Sequence, residues 1–243
     1  MALGPSYEAA AAQAVPSGRP PGPRGDTVPR VARGTLITIE GLDGAGKSTL
    51  AGSLARELAT RVAHVELLRE PGGVEVSERI RALVKDPALA VAPRTEVLLY
   101  AAARAQLVEE RLEPLLRQGA VVLLDRFVDS SLAYQGAGRS LGVQEVRAIN
   151  RFATGALAPD RTLLLRISPT DGRARQHQRA QEPDRLEREG EDFFHAIASA
   201  YEELARAEPD RFRVLDAAQP PQQVLRDALA AVEDLPFASP PSH

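Results

Sequence analysis

No cysteine occurs among the 243 residues, so disulfides and thiolate metal sites are excluded, which suits a reducing, cytoplasmic setting. Charge of one sign is also missing. The formal net charge is −3 with acids and bases interspersed, and no basic surface for nucleic acid or membrane is advertised. No apolar run approaches the roughly twenty residues that span a bilayer, no internal repeat is visible, and an N-K-x-D guanine-reading pattern is absent. The amino terminus lacks a basic start followed by a long apolar core, which argues against a secretory signal. Residues 1–33 are rich in Ala, Pro, Gly and Arg without apolar periodicity. A disordered extension is expected there, with an organelle transit peptide as the weaker alternative. Residues 234–243 read as a disordered tail. At this length a single α/β domain buries a sizeable core without staples.

What is present begins with TLITIEGLDGAGKST, Thr35 to Thr49. The β-branched run Thr35–Ile39 predicts a strand, and G-x-x-x-x-G-K-[ST] follows it at Gly41, Gly46, Lys47 and Ser48, with a further glycine at Gly44. A backbone that wraps a polyphosphate with its N–H groups inward needs residues that tolerate positive φ and carry no Cβ. Lys47 adds a mobile positive charge, the helix that starts there aims its N-terminal dipole at the same anion, and Ser48 can place a hydroxyl on magnesium. The loop predicts nucleotide binding without naming a reaction.

Further strands are expected at Ala63–Leu68, Ala120–Asp125, Arg161–Ile167 and Phe212–Leu215, alternating with helices, which gives α/β class: a doubly wound five-stranded parallel sheet with helices on both faces. Arg69 and Glu70 stand at a strand end before Pro71-Gly72-Gly73, on the sheet edge that holds the P-loop. They read equally as a site pair or as a solvated ion pair. A helix over Val74–Lys85 would expose Arg79 and Arg81, and one long helix is predicted for Pro93–Gln118 with an apolar stripe through Val97, Ala101, Val108, Leu112 and Leu115. Tyr100 and Arg104, four apart on its flank, could hold a planar base, or could be a core-margin tyrosine and a snorkelling arginine. Asp125 ends a continuous apolar strand where a magnesium-side carboxylate is expected, and Arg126 follows it at once. Helices are read over Val143–Ala156, Phe193–Ala207 and Gln222–Val232. Between Pro169 and Arg188 five arginines crowd a segment with almost no apolar content. It reads as a solvated helix or as a lid that brings arginines to a transferring phosphate.

EGLDGAGKST, REPGG, YAAARAQ, DRFVDSSLAYQG, PDRLE and LDAAQP resemble, in order and spacing, the bacterial thymidylate kinase family, a P-loop nucleoside monophosphate kinase family, over residues 34–233 with the lid at about 169–188. The resemblance implies transfer of the γ-phosphoryl group of ATP to dTMP with Mg2+, giving dTDP on the route to dTTP, and a homodimer. By position, Gly41, Leu42, Asp43, Gly44, Ala45, Gly46, Lys47, Ser48 and Thr49 would hold the ATP phosphates and metal, with Asp43 also reaching the nucleotide sugar and Ala217 near adenine. Ser48 and Asp125 would serve the metal. Arg126 would grip the dTMP phosphate, Tyr100 would stack on thymine, Arg104 and Ser131 would bond its edge, and Tyr134 would crowd the 2′ position. Gln135, Glu70 and Arg81 would complete that pocket. Ala45 stands where some members carry an arginine, so the catalytic arginine would come from the lid, with Arg179 and Arg175 the expected donors. A kinase for another small acceptor and a regulatory P-loop switch are the rival readings.

Overall fold

The computed structural model describes residues 33–178 and 183–237. The extension expected at the amino terminus, Arg179 and the last six residues lie outside them, apart from Arg33 of the extension. Five parallel strands, β1 (Thr35–Gly41), β2 (Val65–Arg69), β3 (Val121–Asp125), β4 (Arg161–Arg166) and β5 (Phe212–Asp216), form one sheet in the order β2-β3-β1-β4-β5. β1 is central and buried along its whole length. Successive side chains point to opposite faces, so Ile37, Ile39, Val121 and Leu123 enter one apolar layer with Leu50, Leu54 and Leu58, while Leu36, Val122 and Leu124 enter the other with Leu107, Leu112 and Leu115. This is the doubly wound sheet that the uninterrupted apolar strands require.

The helices are α1 (Lys47–Leu58), α2 (Glu75–Lys85), α3 (Pro93–Leu107), α4 (Glu113–Arg117), α5 (Val128–Ser131), α6 (Val143–Ala153), α7 (Pro169–His177), α8 (Glu191–Ala207) and α9 (Pro221–Ala230). The single helix expected over Pro93–Gln118 is interrupted by a π-helical turn at Val108–Leu112. Pro114 has no N–H to give and its ring crowds the preceding turn, which widens until the Glu113 N–H reaches the Val108 carbonyl. The predicted apolar stripe survives the change of register, with all five of its residues buried. A second π-helical stretch, Leu132–Gly138, continues α5 and carries Tyr134 and Gln135.

Three other expectations change. α6 stops at Ala153, because Thr154 to Gly155 turn the chain into Ala156 at φ 65. Asp234 to Phe237, expected to open the tail, stay on the domain: Asp234 pairs with Arg161 at 2.8 Å, and Leu235 and Phe237 rest on the core. The arginine-rich segment is neither wholly solvated nor free of apolar anchors. Its first half is α7, and after residue 182 Leu186 is buried.

Candidate active site

The P-loop leaves the carboxyl end of β1 and closes on α1. Gly44 (φ 84) and Gly46 (φ 94) lie in the left-handed region that favours glycine. A Cβ on Gly44 would also meet the Gly172 carbonyl at 2.2 Å, so the loop and α7, the first helix of the arginine-rich segment, meet at a glycine–glycine contact. Lys47 folds back over the loop and donates to the carbonyls of Gly41 (3.1 Å) and Leu42 (2.8 Å). Burial, then the nearby Arg126, lowers the Lys47 pKa to about 8, with Asp43, Asp125 and Glu40 opposing. The Ser48 hydroxyl donates to Asp125 at 2.6 Å, bringing two hard oxygen donors together at the loop's mouth.

A cavity of about 390 Å³ opens beside the loop. On the P-loop side Asp43, Gly44, Gly46, Lys47, Ser48 and Thr49 line it. Glu70, Arg81, Tyr100, Arg104, Asp125, Arg126, Ser131, Tyr134 and Gln135 line it as well. Gly41, Leu42, Ala45, Ala217 and Arg175 are not on its surface. Ala45 and Leu42 are buried in the core, and Arg175 donates to the Ala217 carbonyl at 2.9 Å.

Arg126 is the electrostatic centre. Sequence adjacency suggested a pair with Asp125, but β3 ends between them and Arg126 turns at φ 71 toward the P-loop. Its Nη2 meets Asp43 Oδ1 at 2.5 Å and the Tyr134 hydroxyl at 3.2 Å, while Nη1 reaches Ser130 Oγ at 3.0 Å. Tyr134 lies under the guanidinium and donates to Asp43 at 2.8 Å. Burial works to raise the Asp43 pKa, but Arg126, then Lys47 and Tyr134, outweigh it and hold the carboxyl well below the usual range. Asp43 is therefore anionic at all physiological pH.

Arg104 does not snorkel to water. It is fully buried, with Nε and Nη2 on Glu70 Oε2 at 2.7 and 2.6 Å, Nη1 on Ser131 at 2.9 Å and on Asn150, and Nη2 on the Phe127 carbonyl at 3.0 Å. All five of its N–H groups thus meet protein acceptors. Glu70 is pushed up to about 7 by burial against the pull of Arg104. Arg69 pairs with Glu78 at 2.8 Å, so the two charges adjacent in sequence serve different partners. Arg81, expected on the exposed face of α2, is half-buried and donates to the Pro71 carbonyl at 2.8 Å on the cavity wall.

Several residues here carry no loop-like motif. Glu96, completely buried on α3, accepts from Gln135 at 2.9 Å and pairs with Arg139 (3.2 Å) and Arg185 (2.7 Å). Lys85 reaches across the cavity to Asp184 at 2.6 Å. Both contacts fasten the PDRLE turn over the cavity, where Asp184, Leu186 and Glu187 complete the wall. Glu40, Glu96 and Asn150 did leave one signal, a polar residue at an apolar-face position of a strand or helix.

The thymidylate kinase family model matches residues 39–228. A thymidylate kinase of Lactobacillus helveticus is 45% identical over 204 residues, covering 83% of this chain and 96% of that protein. One of Deinococcus radiodurans is 45% identical over 204 residues, covering 84% and 98%. A crystal structure of thymidylate kinase from Ehrlichia chaffeensis superposes with a TM-score of 0.68 at 24% identity, over 83% of this chain and 99% of that one, a likeness of fold. With the family model spanning most of the chain and relatives at this identity matched almost end to end, the chain belongs to the thymidylate kinase family.

Proposed function

We propose that the protein transfers the γ-phosphoryl group of ATP to dTMP, giving dTDP and ADP. One observation supports this reading above the others. A P-loop lysine and a partly buried arginine held by a P-loop aspartate face one cavity whose lining also offers Tyr100, Ser131, Tyr134 and Gln135 to a base and sugar. Phosphoryl transfer needs two anions held in line while their charge is neutralised, and little covalent work. Lys47 and the loop N–H groups take the donor phosphates, and Arg126 takes the acceptor phosphate. No general base is required, because the attacking phosphate oxygen is already ionised. Ser48 and Asp125 suit magnesium, which is held through one or two carboxylates together with substrate phosphates. When bound, that ion neutralises charge building on the transferring group. The Ala217 loop, tied to α7 by Arg175, is the side assigned to adenine. A panel of monophosphates assayed for diphosphate product tests the assignment. dTDP should dominate, with dUMP a modest second, since a methyl in an apolar pocket is worth about 1–3 kcal/mol; an equal or better purine substrate would sink it.

Lys47 gives the site a pH dependence. With its pKa near 8, the lysine is charged below that pH and loses its proton above it, whereas phosphate binding needs the charge. ATP affinity should therefore weaken as pH rises beyond about 8, by up to about tenfold per unit. Titration calorimetry between pH 7 and 9.5 reads this directly. Lys47→Met should bind ATP weakly at every pH, and a wild-type affinity flat to pH 9.5 would refute the role.

The homodimer is proposed on the surface of α2, α3 and α6. Val76, Leu83, Leu98 and Phe152 are 47, 43, 57 and 93% exposed there, and α2 packs on α3 and α3 on α6. Sedimentation should give twice the 26.1 kDa chain mass, and Phe152→Glu should return a monomer; a monomeric wild type contradicts it.

A further inference from the structure

Linked to Arg126 through Ser130 lies a buried carboxylate that the proposed phosphoryl transfer does not use. Glu40 is the sixth residue of β1, with no exposed surface. Its Oε1 accepts the Phe127 N–H at 2.8 Å, and its Oε2 accepts the Ser130 hydroxyl at 2.6 Å and the Tyr201 hydroxyl at 3.0 Å. Burial, then Asp129, raises its pKa, while Ser130, Arg126 and the Phe127 N–H oppose them. A buried charge in a central strand is costly unless it is fully hydrogen-bonded, and this one satisfies three donors from three positions.

The proton inventory gives the cluster a direction. The Phe127 N–H and two hydroxyls are directed at the Glu40 carboxyl, which takes the acceptor role, so Ser130 spends its single proton on Glu40. The lone pairs of Ser130 then face Arg126, whose Nη1 donates to them at 3.0 Å. A guanidinium can only donate, so a serine hydroxyl turned the other way would lose this bond. Oε1 meanwhile fixes the backbone immediately after Arg126, which holds the left-handed turn (φ 71) that aims the side chain at Asp43. Tyr201, on α8 just beyond the arginine-rich segment, is within 3.0 Å of both Ser130 and Glu40. We propose that Glu40 is a positioning residue for Arg126, acting through Ser130 and the Phe127 N–H, with Tyr201 completing the relay.

The proposal rests on the dTMP kinase reading, in which Arg126 meets the acceptor phosphate. Glu40→Gln separates positioning from simple packing. The glutamine carbonyl must stay on the Phe127 N–H, so its NH2 group faces Ser130 and Tyr201. Ser130 would then accept from the amide, and its own proton, left without the carboxylate, would turn toward Tyr201 or Arg126 and weaken the hold on Arg126. In steady-state assays, Glu40→Gln and Ser130→Ala should each raise the KM for dTMP by about tenfold, the scale of one charge-assisted hydrogen bond, and leave the KM for ATP within about twofold. The double variant should be no worse than the worse single one, because both break the same relay. Tyr201→Phe should give a smaller change in the same direction, and it serves as the second test if Glu40→Gln fails to fold. Multiplying effects in the double variant, an ATP KM that moves as much as the dTMP KM, or a Ser130→Ala enzyme equal to wild type would each overturn the proposal. A wild-type enzyme without dTMP-dependent ADP release would instead remove the kinase reading itself.

Discussion

Arg126→Ala should abolish turnover with dTMP, lowering kcat/KM by roughly a thousandfold or more, while ATP binding survives. The size follows from what this side chain is. Its side chain is 17% exposed and its guanidinium is held by Asp43 at 2.5 Å and Ser130 at 3.0 Å, so its charge is fixed in place and weakly screened before any substrate arrives. Preorganised charge aimed at a transferring phosphate costs no reorganisation during the reaction, which is why removing one such donor is felt so strongly. In the proposed function the donor phosphates meet a different group, Lys47 with the loop N–H groups, hence the expected separation. Arg126→Lys should rescue little, because a point charge cannot hold Asp43, Ser130 and a phosphate at once. Calorimetry with ATP beside ADP-release kinetics checks both halves, and unchanged turnover would remove Arg126 from this role.

Arg179→Ala should lower kcat by about 10³- to 10⁵-fold, the range for loss of an arginine finger. Ala45 presents only a buried methyl in the P-loop, and the family resemblance then implies a catalytic arginine from the 169–188 segment. Four arginines of the 169–188 segment have other duties. Arg173 stacks over Phe194 at 5.4 Å, Arg175 holds the Ala217 carbonyl, Arg185 pairs with buried Glu96, and Arg188 donates to the Pro183 carbonyl at 3.1 Å. In sequence Arg179 follows α7, which touches the P-loop through Gly172, and precedes the PDRLE turn, whose Asp184 and Leu186 line the cavity. Single-turnover rates for Arg179→Ala and Arg175→Ala decide the assignment. A large loss confined to Arg175→Ala would move the role there.

Sheet and loop were legible because their causes are local. Continuous apolar runs made buried parallel strands, and glycine spacing with lysine and serine made the phosphate loop. Tyr100, Arg104, Arg126, Ser131 and Tyr134 could be located as cavity residues from strand ends and helix spacing together with the family likeness. Who pairs with whom was not legible, because partnership across a sheet edge depends on backbone turns that neighbouring letters do not encode. Arg126 chose Asp43 over adjacent Asp125, and Glu70 chose Arg104, 34 positions away, over Arg69. The π-helical turn before Pro114 escaped a reading by period alone, since the apolar stripe continues through it. Arg81 was misread as exposed because the cavity takes in the flank of α2 that helical periodicity assigned to solvent.

The central claim is that the cavity accepts dTMP as the phosphoryl acceptor from ATP. Steady-state ADP release with magnesium and ATP, measured with and without dTMP, tests it most directly. A rate with dTMP far above the ATP-only background, with dTDP formed one for one with ADP, is the predicted result; a rate indistinguishable from that background would contradict it.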